Sequence, residues 1–283
     1  MSDGIALYDL KPAEFKSLRE LVMTCTGISL AESKLELVKR RFSLRLKALG
    51  LPTFSAYISY EENNYDAEST HFCNAITTNL TSFFRENHHF ELLQEHILPE
   101  LVRKSRGNQR IRIWSAGCST GQEAYCMAIT LLKCIPDAHK KDIRILATDL
   151  DENCLNTARQ GVYQVSEFNK VSQAVIGEHF TRTQQQVKSI TRDAYEASDR
   201  LKSLITFKKL NLMHPWPMKG PFDAIFCRNV FIYFDKETQA KMLKGFSSMQ
   251  QPGSYLCLGH SETVANPAAI GYELIGKTAY LRM

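Results

Sequence analysis

The sequence predicts an α/β fold: a mainly parallel sheet that ends in an antiparallel hairpin, preceded by a small all-α domain and carrying a small β insertion. From residue 111 onward, short apolar segments alternate with segments of helical periodicity, a pattern typical of parallel strands joined by helices. Residues 10–70 show helical periodicity only. Near the end, Gly276-Lys277 separates two apolar segments, which indicates a hairpin.

Length and composition limit the classes of protein to consider. A chain of 283 residues suggests about two domains. A net charge of +5 is too small to indicate a nucleic-acid partner, and no apolar run approaches the roughly 20 residues that span a bilayer. The eight cysteines lack zinc spacing, and the first residues lack a secretory pattern. We therefore expect a cytoplasmic protein with reduced thiols, no metal and no membrane insertion.

Residues 1–75 are predicted to form the helical domain. Apolar residues recur at helical spacing in two stretches, which are Leu18, Leu21, Val22 and Cys25, then Leu35, Val38, Phe42 and Leu46. Thr26-Gly27 ends the first helix, and Gly50 ends the second as a C-terminal cap. Thr53 or Ser55 then begins a third helix.

The second of these helices is strongly basic. Lys34, Arg41 and Arg45 are predicted to share a face opposite to its apolar residues. A solvated polar face is the usual reason for such a pattern, and an acidic helical partner is the alternative. The basic residues of this helix are Lys34, Lys39, Arg40, Arg41, Arg45 and Lys47.

Residues 76–283 are predicted to form the sheet domain. Its strands are expected at 111–114, 143–148, 222–227 and 254–258, with the hairpin at 272–281. Its helices are expected at 121–134, 151–159 and 236–249. The segment from about 176 to 208 departs from this alternation, since it is polar and contains short alternating pieces. It is predicted to form the β insertion, with a solvated loop carrying edge strands as the alternative.

The loop after the first predicted strand has the character of a ligand-binding turn. Residues 115–121 contain two glycines, which permit a tight turn and close backbone approach of a ligand. The loop is neither a Walker A motif nor a GxGxxG dinucleotide motif. Glu123, in the first turn of the next helix, disfavours a phosphate and favours a cationic or neutral group.

Asp149 ends the second predicted strand, where open α/β sheets place the acid that binds ribose hydroxyls. The alternative role, an N-cap for the next helix, is already available to Asp151. Dehydrogenases and methyltransferases both use such a carboxylate, and two features favour a methyltransferase. The sheet ends in a hairpin, and residues 227–234 place polar groups at the same sheet edge without the Asn/Asp-Pro-Pro-Tyr motif of amino-nitrogen methyltransferases.

Six segments then form a recognisable set: residues 79–86 (NLTSFFRE), 114–123 (WSAGCSTGQE), 147–151 (ATDLD), 158–163 (ARQGVY), 211–212 (NL) and 222–234. Together they resemble the chemotaxis-receptor glutamate O-methyltransferases of the CheR type, over nearly the whole chain. The resemblance implies a Rossmann-like methyltransferase domain with a β-subdomain after a helical domain. It also implies methyl transfer from S-adenosylmethionine to receptor glutamates, which leaves S-adenosylhomocysteine.

The resemblance also implies the site residues. Those that would contact the cofactor are Asn79, Thr81, Arg85, Glu123, Asp149, Asn211, Leu212, Arg228 and Asn229. Asp149 would hold the ribose, Asn211-Leu212 would flank the adenine, and Glu123 would help to place the methionine end. Arg85 and Tyr233 would border the point of methyl transfer as the catalytic residues. The alternatives are an ion pair of Arg85 with Glu86 or Glu91, and a packing role for Tyr233.

The partner implied is the acidic methylation region of a chemoreceptor, met by the basic helix Lys34–Lys47 and by the β insertion. The resemblance implies that members which bind a receptor's C-terminal pentapeptide carry a short, glycine-containing loop in this insertion. Residues 181–204 contain no glycine, so we expect weak or absent binding of such a peptide. His88-His89 are adjacent rather than at i, i+4, so we expect no metal there. The alternative functions are a non-catalytic S-adenosylmethionine-binding module and a methyltransferase acting on another protein of a chemosensory-like array.

Overall fold

The structure, a computed structural model, describes residues 8–104, 110–187 and 189–283, apart from the side chain of Asp66. Its helices are α1 (Pro12–Thr26), α2 (Leu35–Leu49), α3 (Phe54–Asn63), α4 (Tyr65–Ile76), α5 (His88–Leu92), α6 (Leu98–Lys104), α7 (Gln122–Cys134), α8 (Glu152–Gln160), α9 (Gln173–His179), α10 (Asp199–Lys202) and α11 (Lys236–Ser248). Its strands are β1 (Ile111–Ala116), β2 (Ile143–Asp149), β3 (Val162–Gln164), β4 (Phe180–Val187), β5 (Ile190–Ala197), β6 (Ile205–Lys209), β7 (Ala224–Cys227), β8 (Tyr255–Leu258), β9 (Tyr272–Gly276) and β10 (Ala279–Arg282). None of these helices is long and apolar enough to cross a membrane. The eight cysteines are free thiols, as expected.

The first four helices, α1 to α4, pack around one apolar core. The ring of Phe42 on α2 lies 5.4 Å, between centroids, from the rings of both Tyr57 and Phe72. Gly27 ends α1 with a φ of 71°, a conformation that favours glycine. A Cβ there would lie 2.3 Å from Sδ of Met213. The glycine therefore both ends the helix and permits contact with the sheet domain.

The predicted basic face of α2 is only partly exposed, because α4 packs against it. Arg45 donates to both carboxylate oxygens of the buried Glu68 on α4, at 2.7 and 2.5 Å. Nη1 of Arg41 donates to the carbonyl oxygens of residues 75–77, at the end of α4. Two of the three residues assigned to a free face therefore hold helices together. Periodicity within α2 could not show this, because it contains no information about the helix that packs beside it.

A buried carboxylate in α3 leads to a stability prediction. Glu61 is 1% exposed, and neither of its carboxylate oxygens has a hydrogen-bond partner among the described residues. Burial, with the nearby charges of Glu68 and Glu62, raises its pKa. Glu61→Met should therefore raise the free energy of unfolding at pH 8 by about 1–3 kcal/mol, because an unpaired buried polar group is removed. Denaturant melts measure this change.

The pH dependence of that gain has a definite sign. Because the pKa of Glu61 is raised in the folded state, its contribution to wild-type stability is lost as the pH rises through that pKa. The gain from Glu61→Met should therefore be smaller at pH 5 than at pH 8. The matched control is Glu62→Met at the exposed neighbouring position, which should change stability by less than about 0.5 kcal/mol. Equal stabilities for the two variants would contradict the prediction.

The main sheet confirms the predicted fold class. Within the described ranges, seven strands are ordered β6-β2-β1-β7-β8-β10-β9. The first five of these are parallel, and β10 runs antiparallel to both β8 and β9. Ile113 and Ile145 belong to one apolar core, whereas Trp114 and Ile225 belong to another. Successive residues of β1 thus point into different cores, so both faces of the sheet are buried, as parallel sheets require.

The β insertion exists, but its limits differ from the expected 176–208. A second sheet, of three strands in the described chain, has the order β3-β5-β4 and is antiparallel. Residues 205–209, assigned to the insertion from their alternation, instead form β6 and pair with β2 of the main sheet. Conversely, β3 lies before the expected insertion. A short alternating segment indicates a strand but not which sheet it joins.

The helical and sheet domains are joined by specific hydrogen bonds. Nδ2 of Asn211 donates to the carbonyl oxygen of Cys25 at 2.9 Å. The backbone N–H of Ser29 donates to the carbonyl oxygen of Tyr233 at 2.8 Å. Oγ1 of Thr77 donates to Oδ2 of Asp151 at 2.9 Å. These bonds fix α1, the end of α4 and the following residues over the carboxyl ends of the parallel strands.

Candidate active site

A cavity of about 310 Å³ lies between the two domains, above the carboxyl ends of β1, β2 and β7. This is where open α/β sheets bind ligands. The helical domain contributes Thr26, Ile28 and Ile76 to its wall. The ten site residues implied by the sequence resemblance also line it, namely Asn79, Thr81, Arg85, Glu123, Asp149, Asn211, Leu212, Arg228, Asn229 and Tyr233.

The loop after β1 is shaped around Asp149. The backbone N–H groups of Gly117 and Cys118 both donate to the carbonyl oxygen of Thr148 on β2, at 2.8 and 2.9 Å. The N–H of Ser119 then donates to Oδ2 of Asp149 at 2.7 Å. Burial raises the pKa of Asp149 to about 6, and hydrogen bonds from backbone N–H groups oppose this shift. The carboxylate of Asp149 is therefore mostly ionised at neutral pH, but its pKa lies close enough to neutrality for mild acid to protonate it.

The structure separates the roles of Asp149 and Asp151. Asp151 caps α8, since its Oδ1 accepts from the N–H groups of Asn153 and Cys154 at 2.9 and 3.3 Å. Its other oxygen accepts from Nδ2 of Asn79 at 2.7 Å. Asp151 thus caps α8, as expected, and Asp149 lines the cavity.

On the β7 side of β1, Arg228 connects two carboxylates, those of Glu123 and Glu86, in a series of ion pairs at the cavity. Nη1 of Arg228 donates to Oε2 of Glu123 at 2.8 Å, and Nη2 of Arg228 lies 3.3 Å from Oε2 of Glu86. Oγ of Ser115 donates to Oε1 of Glu123 at 2.6 Å. The guanidinium of Arg228 also donates to the carbonyl oxygen of Arg85. Burial raises the pKa of Glu123, and the charge of Arg228 opposes the shift.

Glu86 positions two residues of the cavity wall, Arg228 and Asn229, without being among the lining residues itself, and sequence reasoning did not assign it this role. Its carboxylate accepts from Nδ2 of Asn229 at 3.2 Å and from the backbone N–H of His260 at 3.1 Å. The ring Nδ1 of His260 lies 2.7 Å from its Oε1. Burial raises the pKa of Glu86, but the hydrogen bond with His260 and the charge of Arg228 outweigh it and lower the pKa to about 2.

Glu262 is the second residue missed. Its carboxylate accepts from the backbone N–H groups of Gly259, Asn229 and Ile232, at 2.6, 2.8 and 3.2 Å. It therefore fixes the loop after β7 in place. The signal was present in the sequence, because Glu262 follows the apolar segment 254–258 at the ligand-binding edge of the sheet.

The backbone around the cavity is strained at several non-glycine residues. Among the described residues, Phe84, Glu86, Ser119 and Asn229 have φ values of 51°, 53°, 50° and 58° at this site. Such conformations cost on the order of 1–3 kcal/mol each outside glycine and concentrate at functional sites. The carboxylates of Glu86 and Asp149 accept hydrogen bonds from two of these residues, Asn229 and Ser119.

Two family profiles match consecutive parts of the chain. The profile described as the CheR methyltransferase all-alpha domain matches residues 13–77, and that of the CheR methyltransferase SAM binding domain matches residues 79–280. The chain belongs to the CheR methyltransferase family.

Curated relatives agree with this assignment over nearly their whole length. A probable chemotaxis protein methyltransferase of Rhizobium etli is 42% identical over 92% of this chain and 96% of its own. The chemotaxis protein methyltransferase of Salmonella typhimurium is 39% identical over 99% of this chain and 92% of its own. Chemotaxis protein methyltransferase 2 of Pseudomonas aeruginosa is 38% identical over 94% of this chain and 92% of its own. The similarity includes both domains of this CheR chain.

The cavity of this CheR protein fits S-adenosylmethionine. β2 and β7 flank β1 on opposite sides, so Asp149 and Arg228 lie about two strand spacings apart, roughly 10 Å. Such a separation suits an elongated ligand with a diol near one end and a charged amino-acid group at the other. A Cβ on Gly117, whose φ is 85°, would lie 2.4 Å from Cγ2 of Val230. The glycine is therefore needed for this loop to pack against the segment that follows β7, where both form part of the cavity wall.

Arg85 and Tyr233 lie together at the cavity of this CheR chain. Nη1 of Arg85 donates to the carbonyl oxygen of Leu80 at 2.8 Å, and the hydroxyl of Tyr233 donates to the carbonyl oxygen of Thr78 at 3.3 Å. The anticipated alternative, an ion pair of Arg85 with Glu86, does not occur in the described chain, because Glu86 pairs with Arg228. Tyr233 also packs against the apolar core of the helical domain. Its ring therefore has the packing role that the sequence analysis gave as the alternative.

One group of side chains has the composition of a metal site. Ligand-type atoms of Glu86, His88 and His89 lie within 4.8 Å of one another. However, the carboxylate of Glu86 already accepts from several donors, and Nη2 of Arg228 lies 3.3 Å from it. A second cation at this point would be repelled by the guanidinium at short range. The charges around Glu86 therefore favour hydrogen bonding over metal binding.

Proposed function

We propose that this protein transfers a methyl group from S-adenosylmethionine to glutamate side chains of membrane chemoreceptors in the cytoplasm. The observation that carries the proposal is a cavity that fits the cofactor and has both Arg85 and Tyr233 in its wall. The printed names of the relatives, chemotaxis protein methyltransferases, support a receptor substrate. A glutamate carboxylate has an ordinary pKa near 4.3 and is ionised at neutral pH, so it needs no general base.

The proposed chemistry is mainly positioning. S-adenosylmethionine supplies an activated methyl group, and the chain must place a carboxylate oxygen in line with it. Arg85 orients that carboxylate, since a guanidinium pairs with a carboxylate through two parallel hydrogen bonds. Asp149 holds the ribose hydroxyls, Glu123 and Arg228 hold the amino-acid end, and Leu212 borders the base. Correct orientation of this kind is worth roughly 7–11 kcal/mol in favourable cases.

Tyr233→Phe tests the role of the hydroxyl at the cavity. The variant keeps the ring that packs on the helical domain and removes the 3.3 Å hydrogen bond to Thr78. The loss of one neutral hydrogen bond should lower kcat by about three- to ten-fold. Isothermal titration should show a nearly unchanged dissociation constant for S-adenosylmethionine. A kcat equal to that of wild type would assign Tyr233 to packing alone.

The reaction itself is tested with methyl-labelled S-adenosylmethionine and chemoreceptor-containing membranes. We expect label on the receptor that alkali releases as methanol, since a glutamate methyl ester is base-labile. Base-stable label would exclude a carboxyl ester and favour another acceptor group. Tight binding of the cofactor without any transfer would instead support the non-catalytic binding module.

Arg45 is held by its ion pair with Glu68, and Arg41 by hydrogen bonds to backbone carbonyl oxygens at the end of α4, so other basic residues are left to meet a partner. Lys34, Arg40 and Lys47 remain exposed, and we propose that these residues meet the acidic region of the receptor. Arg40→Glu/Lys47→Glu should raise KM for receptor membranes about ten-fold at low salt, with little change in kcat. The difference from wild type should shrink in 0.5 M salt because exposed charges are screened. An unchanged KM would place receptor binding elsewhere.

The β4–β5 hairpin of the insertion is a proposed second contact with the receptor. Its tip contains no glycine, and we propose that it binds a receptor's C-terminal pentapeptide weakly or not at all. Titration calorimetry with the pentapeptide measures this directly. Micromolar binding would overturn the proposal.

A further inference from the structure

The segment that brings Tyr233 to the cavity is held through its backbone N–H groups by Glu262. This segment comprises residues 229–234, follows β7, and is called the Tyr233 segment. The carboxylate of Glu262, which is 4% exposed, accepts from the N–H of Asn229 at 2.8 Å and from the N–H of Ile232 at 3.2 Å. Asn229 has a φ of 58°, a conformation that is unfavourable outside glycine. The bond from its N–H therefore helps to hold the segment in a shape that a free backbone rarely adopts.

Gln239 of α11 holds the carbonyl groups of the same segment. Its Nε2 donates to the carbonyl oxygen of Phe231 at 2.9 Å and to that of Phe234 at 3.0 Å. Glu262 thus supplies acceptors for the N–H groups, and Gln239 supplies a donor for the carbonyl oxygens. We call Glu262 and Gln239 together the clasp. Because the clasp binds the residues directly before and after Tyr233, it fixes the position of that residue.

We propose that the clasp positions the hydroxyl of Tyr233 for methyl transfer. The inference rests on the proposed function and adds two positioning residues to it. Neither Glu262 nor Gln239 lines the cavity, so both act through the backbone of the Tyr233 segment. The N–H of Ser29 also donates to the carbonyl oxygen of Tyr233, at 2.8 Å. With its backbone held in this way, Tyr233 directs its hydroxyl to the carbonyl oxygen of Thr78.

The neighbouring residues that are proposed to hold the cofactor have separate anchors. Nδ2 of Asn229 donates to Oε1 of Glu86 at 3.2 Å, and Nη1 of Arg228 donates to Oε2 of Glu123 at 2.8 Å. Neither of these bonds involves the clasp. Loss of the clasp should therefore slow methyl transfer while S-adenosylmethionine still binds.

Glu262→Gln and Gln239→Met test the clasp from its two sides. An amide nitrogen in place of one carboxylate oxygen cannot accept, so part of the Tyr233 segment loses its partner. Methionine keeps the length of glutamine and removes its donor. Each variant should lower kcat about three- to ten-fold, as Tyr233→Phe does, because a small displacement of a group at the reacting centre slows the reaction. The dissociation constant for S-adenosylmethionine should stay within about two-fold of wild type.

Double variants with Tyr233→Phe distinguish positioning from a general structural role. If the clasp acts through the hydroxyl, Glu262→Gln or Gln239→Met should lower kcat by about two-fold or less once that hydroxyl is absent. Additive losses would overturn the inference, and so would a loss of less than about three-fold in both single variants or a wild-type kcat for Tyr233→Phe. A rise in the cofactor dissociation constant as large as the fall in kcat would also overturn it. Gln239→Met decides alone if Glu262→Gln does not fold.

Gln250→Met is the matched control for Gln239→Met. Gln250 is 7% exposed, and its Nε2 donates to the carbonyl oxygen of Tyr255 at 2.7 Å, at the amino end of β8 and away from the cavity. This variant should lower the midpoint of thermal unfolding and keep the wild-type kcat. An equal fall in kcat for the control would overturn the inference, since loss of stability alone would then explain the effect. Absence of base-labile methyl transfer to receptor membranes by wild type would overturn the proposed function itself.

Discussion

Glu86→Ala should lower kcat/KM for methyl transfer by about 100-fold or more. Arg228 is 6% exposed and contacts two carboxylates in the described chain, those of Glu86 and Glu123. Breaking a buried ion pair costs about 3–5 kcal/mol when the remaining charge has no partner, and part of this cost is expected here because Glu86→Ala leaves Arg228 with Glu123 as its remaining carboxylate partner. The variant also releases the side chain of Asn229, whose backbone has a φ of 58°. Both residues should then hold the cofactor less well, so its dissociation constant should rise along with the loss of rate.

The pH dependence of the free energy of unfolding tests the ion pair of Glu86 independently of catalysis. Its pKa is lowered to about 2, so its contribution to stability is complete above its ordinary pKa and is lost as the pH falls toward 2. Wild type and Glu86→Ala should therefore converge in stability in acid. Glu91→Ala is the control, since Glu91 lies on α5, just after the turn that carries Glu86, and its partner is the exposed Asn87. A Glu86→Ala enzyme with wild-type rate and affinity would remove Glu86 from the site.

Asp149→Asn should weaken binding of S-adenosylmethionine by about 100-fold at pH 8. A carboxylate accepts hydrogen bonds from both ribose hydroxyls, and each hydrogen bond to a charged group is worth about 1.5–3 kcal/mol. Asparagine keeps one acceptor oxygen and loses the charge. Because the pKa of Asp149 is raised to about 6, wild-type affinity should also fall as the pH drops below 6, whereas the variant should show little change over this range.

The control for Asp149 lies at the other end of β2. Asp142 precedes the strand and pairs with the guanidinium of Arg112 at 2.5 Å, away from the cavity. Asp142→Asn should leave cofactor affinity within about two-fold of wild type across the same pH range. Calorimetric titration with S-adenosylmethionine at pH 5 and pH 8 measures the dissociation constants of wild type and both variants. Equal dissociation constants for Asp149→Asn and wild type would contradict the ribose assignment.

The sequence was informative wherever a residue's role depends on its local position. Asp149 and Asp151 end a strand and cap a helix, and both positions are visible as a strand pattern followed by a helical pattern. The helix ends at Gly27 and Gly50 were equally local, since both residues take a left-handed φ that favours glycine. These features follow from neighbouring residues and need no knowledge of the packed structure.

Other features depend on contacts between distant segments, and the sequence could not show them. Arg41 and Arg45 belong to the same helix face as Lys34 by periodicity, but α4 covers them and leaves Lys34 exposed. Glu86 gains its role from Arg228, 142 residues away. β6 was assigned to the wrong sheet, because pairing with β2 is a property of the assembled sheet.

The hydrogen bonds from Asn211 to Cys25 and from Ser29 to Tyr233 have a wider consequence. They make the helical domain part of the cavity wall, so the free energy of cofactor binding is shared by two folding units. Ligand occupancy and domain docking are then linked equilibria, each of which shifts the other. A substitution deep in the core of α1 to α4 can therefore act as an affinity mutation, although it contacts no ligand.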